Sequence, residues 1–576
     1  MSHHLLDHYR QRLAAEAGVR PPPWGGRLSV ALVYPNTYHQ GMSNLGVQAV
    51  YRLLNGRDDT RCERFFLPDA EELAEHRRTG FPLVSLETRR PLSDFDLVAF
   101  SISFENDYLN LPILFELGQL PLWREARDAR HPLVLAGGVC AFLNPEPLAE
   151  IIDLFAVGEA EVLLDPLVTT LQRSGAAERG ELLAALAALP GIYVPSLYRV
   201  GYHDDGTLRE MAPLAGAPPR VRRQWLARLD DFQARTCIAT ADTEFGNMQL
   251  VEVSRGCPRA CRFCAAGFIY RPFREHGAEH LGRELLAGED GPGRVGLVAA
   301  AVSDYGDLAA LGTQIVDAGG EVSVSSVRID AVTPAQIAML VRSGHKTLAL
   351  APEAGSQRMR DVVNKGIDEA QVLAATQLIA EGGVPNLKLY FMVGLPGEGE
   401  ADIAAIGELT GKIRGVWEAA GRARGKLGRM LLSVNPFVPK PWTPLQWAAM
   451  EPVAGLEKKY RLLQKLIRPL ANVDLQCESL RSAELQGFLA RGDRRVGRVL
   501  PLLAGGKGLK ATCRETGLDP ACYLLRERGA DELFPWEILD QGIRRDYLRQ
   551  EYQAALAARP GTTCHPGCRR CGIAGC

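Results

Sequence analysis

MQLVEVSRGCPRACRFC, residues 248–264, is the stretch from which the rest of the chain can be read. Its apolar, β-branched run from Met248 to Val253 predicts a strand. Ser254-Arg255-Gly256 breaks that run into a loop carrying Cys257, Cys261 and Cys264. Soft thiolates this close together select iron–sulfur clusters or zinc. The C-x3-C-x2-C spacing supplies three ligands: a structural zinc site closes four, whereas a cluster on three cysteines keeps one iron open to a further ligand. Phe263, just before the last cysteine, is positioned to shield such a cluster. The alternative is three incidental loop cysteines. With 13 cysteines in 576 residues, chance gives this spacing on the order of one time in a hundred.

A chain of this length exceeds one hydrophobic core and implies several domains. Its 46% apolar and 23% charged composition is that of an ordinary globular protein, and a net charge of −2 leaves no global basic field for nucleic acid. Local basic clusters at 220–228, 422–429 and 491–498 are expected as solvated faces rather than RNA surfaces. No uncharged apolar run reaches membrane-spanning length, and MSHHLLDHYRQRL lacks a signal-peptide core. Cysteines in two close-spaced sets suit metal binding in a reducing cytoplasm better than a disulfide scaffold.

Upstream, residues 1–26 read as a short helix ending in a Pro/Gly break. Strands expected at 28–34, 95–102, 133–136 and 151–157, separated by helical stretches, predict a doubly wound parallel sheet over 27–200. Ligands of such sheets bind at the carboxyl ends of strands. Here those ends hold Pro35–Gly41 (with Asn36, Tyr38 and Gly41), Ser101–Glu105, Gly137-Gly138 and Gly158-Glu159. Residues 201–247, rich in Gly, Pro and Arg, read as a linker. From Met248 a strand–helix pattern recurs six times, with strands at 248–253, 294–301, 321–328, 346–351, 386–393 and 429–435. This predicts a partial (β/α)6 barrel over 248–447 with its working groups at strand carboxyl ends. Those ends carry Ser303-Asp304-Tyr305, Ser325 to Arg328, Glu353-Ala354-Gly355, Gly394-Leu395-Pro396-Gly397 and Asn435 to Lys440. Residues 448–560 read as helical, with Phe534-Pro535-Trp536-Glu537 as core. The tail 561–576 repeats the spacing in Cys564, Cys568 and Cys571 and adds Cys576. Four thiolates there suit a second cluster or a zinc site.

The order of these motifs resembles an uncharacterised bacterial radical SAM family with an N-terminal cobalamin-binding-like domain. The resemblance implies a 4Fe-4S cluster on Cys257, Cys261 and Cys264 whose open iron chelates S-adenosylmethionine and cleaves it to a 5′-deoxyadenosyl radical. It places Ser303 and Asp304 at the SAM amino group and the Gly394–Pro396 segment along the adenine. Caps for the following helices are alternative roles for Ser303, Asp304 and Glu353, the last otherwise a ribose ligand. Arg328 is open to the SAM carboxylate or to Asp330. In the sheet domain the resemblance implies cobalamin at Asn36, Tyr38, Gly41, Ser101, Gly137, Gly138, Gly158 and Glu159. One departure stands out: where many cobalamin domains carry D-x-H-x-x-G, this chain has Tyr38 at the histidine position and His39 one place late. The reaction implied is methylation of an unactivated carbon, with flavodoxin or ferredoxin as electron donor, since ferredoxin-type clusters lie near about −400 mV. The barrel is also similar to that of the tRNA methylthiotransferases, in Ser303-Asp304-Tyr305 and Pro436 to Pro439. That makes sulfur insertion, on RNA for instance, the first alternative and a non-catalytic redox or RNA-binding cluster protein the second.

Overall fold

The structure is a computed structural model that describes residues 3–175, 178–214, 216–286, 293–565 and 567–573. Its first sheet is built from β1 (Leu28–Tyr34), β2 (Thr60–Phe66), β3 (Leu97–Ser101), β4 (Leu133–Gly137), β5 (Leu154–Ala156) and β6 (Ile192–Tyr193), in the order β2-β1-β3-β4-β5-β6. All pairs are parallel except β5–β6. Because strand side chains alternate between faces, Ala31 and Val33 enter one core while Val30, Leu32 and Tyr34 enter another. The second core is closed by the helices Leu45–Asn55 and Ala160–Ser174. The first is continuous with the core of the rest of the molecule. Strand order reverses at β1/β3, so the crevice at the carboxyl ends lies between the loops after Tyr34 and after Ser101.

The second half forms two parallel sheets. β7 (Gln249–Glu252), β8 (Arg294–Val298) and β9 (Glu321–Val324) make one. β10 (Thr347–Glu353), β11 (Asn386–Val393), β12 (Met430–Pro436) and β13 (Val473–Cys477) make the other. The Val327 amide donates to the Ala349 carbonyl at 3.2 Å and links them into one open barrel wall. The six expected strands are present. A seventh, β13, lies within the stretch expected to be helical and pairs parallel with β12. The remainder of that stretch is mostly helical, with Phe534 and Trp536 buried as core.

Residues 201–247, expected as a linker, are folded onto both halves. Tyr198–Tyr202 and Leu208–Pro213 form a hairpin, and Val221–Arg222 pairs with Leu539–Asp540. Of the basic clusters, 422–429 is a solvated face as expected, while 220–228 and 491–498 depart from one. Arg223 and Arg491 are buried, while Arg494 and Arg498 pair with Glu146 and Glu150 of the first domain.

The strand carboxyl ends of the first sheet face those of the barrel wall. Glu159 and Glu161, after β5, both reach Arg255, after β7, at 2.8 and 2.7 Å. Glu105, after β3, takes Lys440, after β12, at 2.6 Å. Among the described residues no helix is long and apolar enough to cross a membrane. Gly355, just after β10, lies against the helix Glu400–Ala423: a Cβ there would stand 2.1 Å from the Ile406 nitrogen. Backbone cannot give way as a side chain can, so Gly355→Ala is expected to cost about 3 kcal/mol or more, read as a lowered denaturant midpoint.

Candidate active site

The chain leaves β7 through Ser254–Arg255, which pairs antiparallel with Arg274–Glu275, so residues 256–273 form a closed excursion. Gly256 makes the exit possible: its φ is +87° and a Cβ would stand 2.6 Å from the Tyr270 carbonyl oxygen. Within the excursion Cys257, Cys261, Phe263 and Cys264 share the wall of one cavity of about 210 Å³ with Ser303, Arg328 and Glu353. Burial pushes the Cys257 thiol up to about 12 and the Cys264 thiol upward, with neighbouring cysteine charge adding to both. Thiols held this way give up their protons to a bound metal rather than to water. Among the described residues, the His, Cys, Asp or Glu set whose ligand atoms all lie within 4.8 Å of one another is Asp230, His276 and His280. The three cysteines, by contrast, are brought together as part of the wall of one cavity.

The opposite wall is a charge array on strand ends. The Ser303 hydroxyl accepts the Arg328 amide at 2.8 Å. Asp304, next in sequence, is not part of the cavity wall; it is bound by Arg259 at 2.5 Å and approached by Arg328 at 3.8 Å. Asp330 takes Arg259 at 3.0 Å and Arg328 at 2.9 Å. Glu353 has φ +66°, a left-handed conformation that costs a non-glycine residue about 1–3 kcal/mol. Its carboxylate meets the Lys365 ammonium at 2.9 Å. Lys365 is desolvated, yet Glu353 holds its pKa above the ordinary lysine value. The capping alternatives find no support here. Ser356 caps the helix after Glu353, and the helix after Asp304 begins beyond Asp307. Arg259, Asp330 and Lys365 were not singled out from the sequence. Arg259 lies inside the cysteine motif, and Asp330 was legible only as a partner for Arg328. Lys365 carried no signal of its own.

Gly394 and Pro396 are not part of the cavity wall. Gly394 (φ +83°) packs under Leu456, and its amide donates to Glu398 at 2.6 Å.

In the sheet domain Ser101, Gly137, Gly138 and Gly158 line one narrow slot of about 70 Å³, otherwise walled by apolar side chains such as Leu32, Ala99, Leu135 and Leu164. The other residues singled out there have different partners. Asn36 donates to Asp107 at 2.8 Å, whose carboxyl is pushed up to about 6 by burial. Tyr38 is buried, stands edge-on to Phe66, and donates its hydroxyl to Glu16 at 2.7 Å, away from the slot. Gly41 lies beneath Phe66, whose ring would be 2.4 Å from a Cβ. His39 is turned to Asp242 at 2.9 Å. Glu159 is occupied by Arg274 at 2.7 Å and by Arg255.

The cysteine-rich tail docks on the back of the first cysteine loop. The Cys564 amide donates to the Pro258 carbonyl at 2.9 Å, and Asn364 spans the join, accepting from the Gly561 amide at 2.7 Å while donating to the Ala260 carbonyl at 3.0 Å. Cys568 and Cys571 are buried; the Arg570 amide and side chain hold the Cys568 thiol below its usual range. Cys576 lies outside the described residues. Arg262 fastens the assembly. Its guanidinium, fully buried, pairs with Glu551 at 3.0 Å and donates to the carbonyls of Asp361 at 2.8 Å and Arg559 at 2.9 Å. Arg262→Ala would strand Glu551 and these carbonyls, an expected loss of about 3–5 kcal/mol. Arg262→Lys is expected to recover only part of it, lacking the fork. Denaturant titration of the three chains checks this.

Residues 251–410 match a family model described as the radical SAM superfamily, and residues 46–195 match one described as radical SAM proteins, N-terminal. Together these segments span over half of the chain. An uncharacterised protein, MJ0966 of Methanocaldococcus jannaschii, is 28% identical over 480 residues, 82% of this chain and 90% of that protein. Among solved structures, the radical S-adenosylmethionine methyltransferase TsrM from Kitasatospora setae, with cobalamin and a 4Fe-4S cluster bound, superimposes with a TM-score of 0.51. It is 12% identical and covers 85% of this chain and 99% of its own. The cobalamin-dependent S-adenosylmethionine radical enzyme OxsB, with aqua-cobalamin bound, gives 0.46 at 14% identity, covering 83% of this chain and 66% of its own. The TsrM likeness is one of fold.

Proposed function

We propose that this chain, which belongs to the radical SAM enzymes, methylates an unactivated carbon using a 4Fe-4S cluster on Cys257, Cys261 and Cys264, S-adenosylmethionine in the adjoining cavity and a corrinoid in the sheet domain. The observation that carries the reading is the shared cavity, in which three thiols share the wall with the charged groups of Arg259, Arg328, Lys365, Asp330 and Glu353. When bound, the cluster supplies the electron that breaks the sulfonium, and the corrinoid supplies a transferable methyl group.

The chain's own groups fit the zwitterionic end of the cosubstrate. Asp304 exchanges the Arg259 guanidinium for its ammonium, and the Arg328 fork takes its carboxylate. Glu353, held rigid by Lys365, accepts the ribose hydroxyls, and Phe263 keeps water from the sulfur ligands. Gly394 and Pro396 enter this proposal only as support for the strand end that carries them. For the corrinoid, the fit rests on the apolar slot at Ser101, Gly137, Gly138 and Gly158 and on the facing carboxyl ends of the two sheets. With Tyr38 and His39 both turned to other partners, cobalt would be held without a histidine ligand from this loop. Electrons come from a flavodoxin or ferredoxin. The tail thiols Cys564, Cys568 and Cys571 form a second, separate metal site.

Three outcomes test this. Anaerobically reconstituted protein with dithionite is expected to form 5′-deoxyadenosine, a product abolished in Cys257→Ala, Cys261→Ala and Cys264→Ala and still measurable in Cys568→Ala. Glu353→Gln is expected to weaken SAM binding by about 10- to 100-fold, the range of a lost charged hydrogen bond, in equilibrium dialysis. Gly137→Leu fills the slot without backbone strain, since a Cβ there meets only Ala156 at 3.9 Å. It is expected to lose the corrinoid absorption that the parent chain retains after gel filtration, with the cluster intact. A parent chain that takes up no corrinoid and consumes cluster sulfide during turnover would move the assignment to sulfur insertion.

A further inference from the structure

Outside the cavity, the fold gathers a second set of ligand atoms. Asp230 lies in the turn Leu229–Asp231, in the stretch before β7; His276 follows the strand pair that closes the cysteine excursion; His280 stands four residues on, in the helix Ala278–Leu286. One ligand atom from each of the three lies within 4.8 Å of the other two. His276 is 2% exposed; one ring nitrogen, Nδ1, meets Asp230 at 3.0 Å, and the other, Nε2, is buried with no hydrogen-bond partner. A buried imidazole nitrogen left unpaired is costly. The His280 ring stacks on that of His276 with centroids 6.3 Å apart, and its edge opens toward Glu284 at 3.7 Å.

We propose that Asp230, His276 and His280 bind a divalent transition-metal ion such as zinc, which two imidazoles and one carboxylate suit. The site contains no thiol, so it is chemically distinct from both cysteine sets. Its place gives it a purpose. The His276 amide donates to the Val253 carbonyl at 3.0 Å, and its own carbonyl accepts from the Tyr305 hydroxyl at 3.2 Å, next to Ser303 and Asp304. An ion there, its shell completed by Glu284 beside His280 or by water, ties the segment preceding the barrel to the base of the excursion that carries Cys257, Cys261 and Cys264. It acts as a staple on the loop, with no part in electron transfer.

The test uses the full chain with its clusters reconstituted, dialysed against micromolar zinc and analysed for metal, with cobalt as the spectroscopic probe. One zinc per chain is expected in the parent. His280→Ala and Asp230→Ala, both at partly exposed positions, are expected to lower its affinity by more than about tenfold, the loss that even a change outside the ligand shell brings, while iron and sulfide stay unchanged. Cobalt at this site should give d–d bands without the near-ultraviolet thiolate charge-transfer band that binding at the tail would add. Zinc retained equally by both variants, cobalt bands of thiolate type alone, or a parent chain that binds no zinc would each overturn the assignment. None of these results depends on SAM cleavage, so the methylation reading stands or falls separately.

Discussion

The Arg255 guanidinium is the point on which the two halves turn. It is nearly enclosed, and three carboxylates converge on it: Glu159 and Glu161 from the sheet domain, and Glu252 from the strand that leads into the cysteine loop. Glu159 also holds Arg274 across the base of the same loop. Burying so many charges has a large desolvation cost, and an apolar junction of the same shape could be as stable. What the ionic junction adds is direction. A guanidinium fork accepts carboxylates only in its own plane and at short range, so the sheet domain is seated in one orientation over the loop.

That orientation explains why the two sheets meet at their carboxyl ends. Each parallel sheet leaves its loops, and therefore its ligand-binding positions, at that end. The Arg255 junction brings the end of β5 to the end of β7, and the Lys440–Glu105 pair does the same for β12 and β3. The Trp442 indole adds a neutral tie, donating to the Leu143 carbonyl at 3.1 Å. A group held in one sheet's crevice is thereby presented to whatever the other holds.

Much of this was legible from local pattern. β7 announces itself by β-branched residues, the trio by its spacing, and Ser303, Arg328 and Glu353 by following apolar strands, where parallel sheets keep their chemistry. The misses share a different cause: each depends on a partner remote in sequence. Tyr38 is drawn from the crevice because Glu16, itself held by Arg64 at 2.7 Å, waits for its hydroxyl. Glu159 reads as a crevice residue until Arg255 and Arg274 are placed beside it. β13 alternates between half-buried and exposed positions as an edge strand does, but it follows a long helical pattern that masks it. Residues 201–247 look irregular because their burial comes from both neighbours in turn, as with Arg223, which is buried while Arg222 beside it is exposed.

The cysteine loop is the element least able to order itself. Its short helix, Ala266–Ile269, has no side-chain cap, and its thiols repel one another once ionised. Order has to come from outside, and it comes from three directions. Arg255 fixes the entry, Asn364 and the Arg262 guanidinium fix the middle to the turn at 361–364, and residues 559–564 close the back. Arg262 and Asn364 each touch both the turn or loop and the tail, so neither contact is complete until the last segment has docked. The ligand geometry of the loop that carries the trio is therefore a property of the whole molecule rather than of the motif.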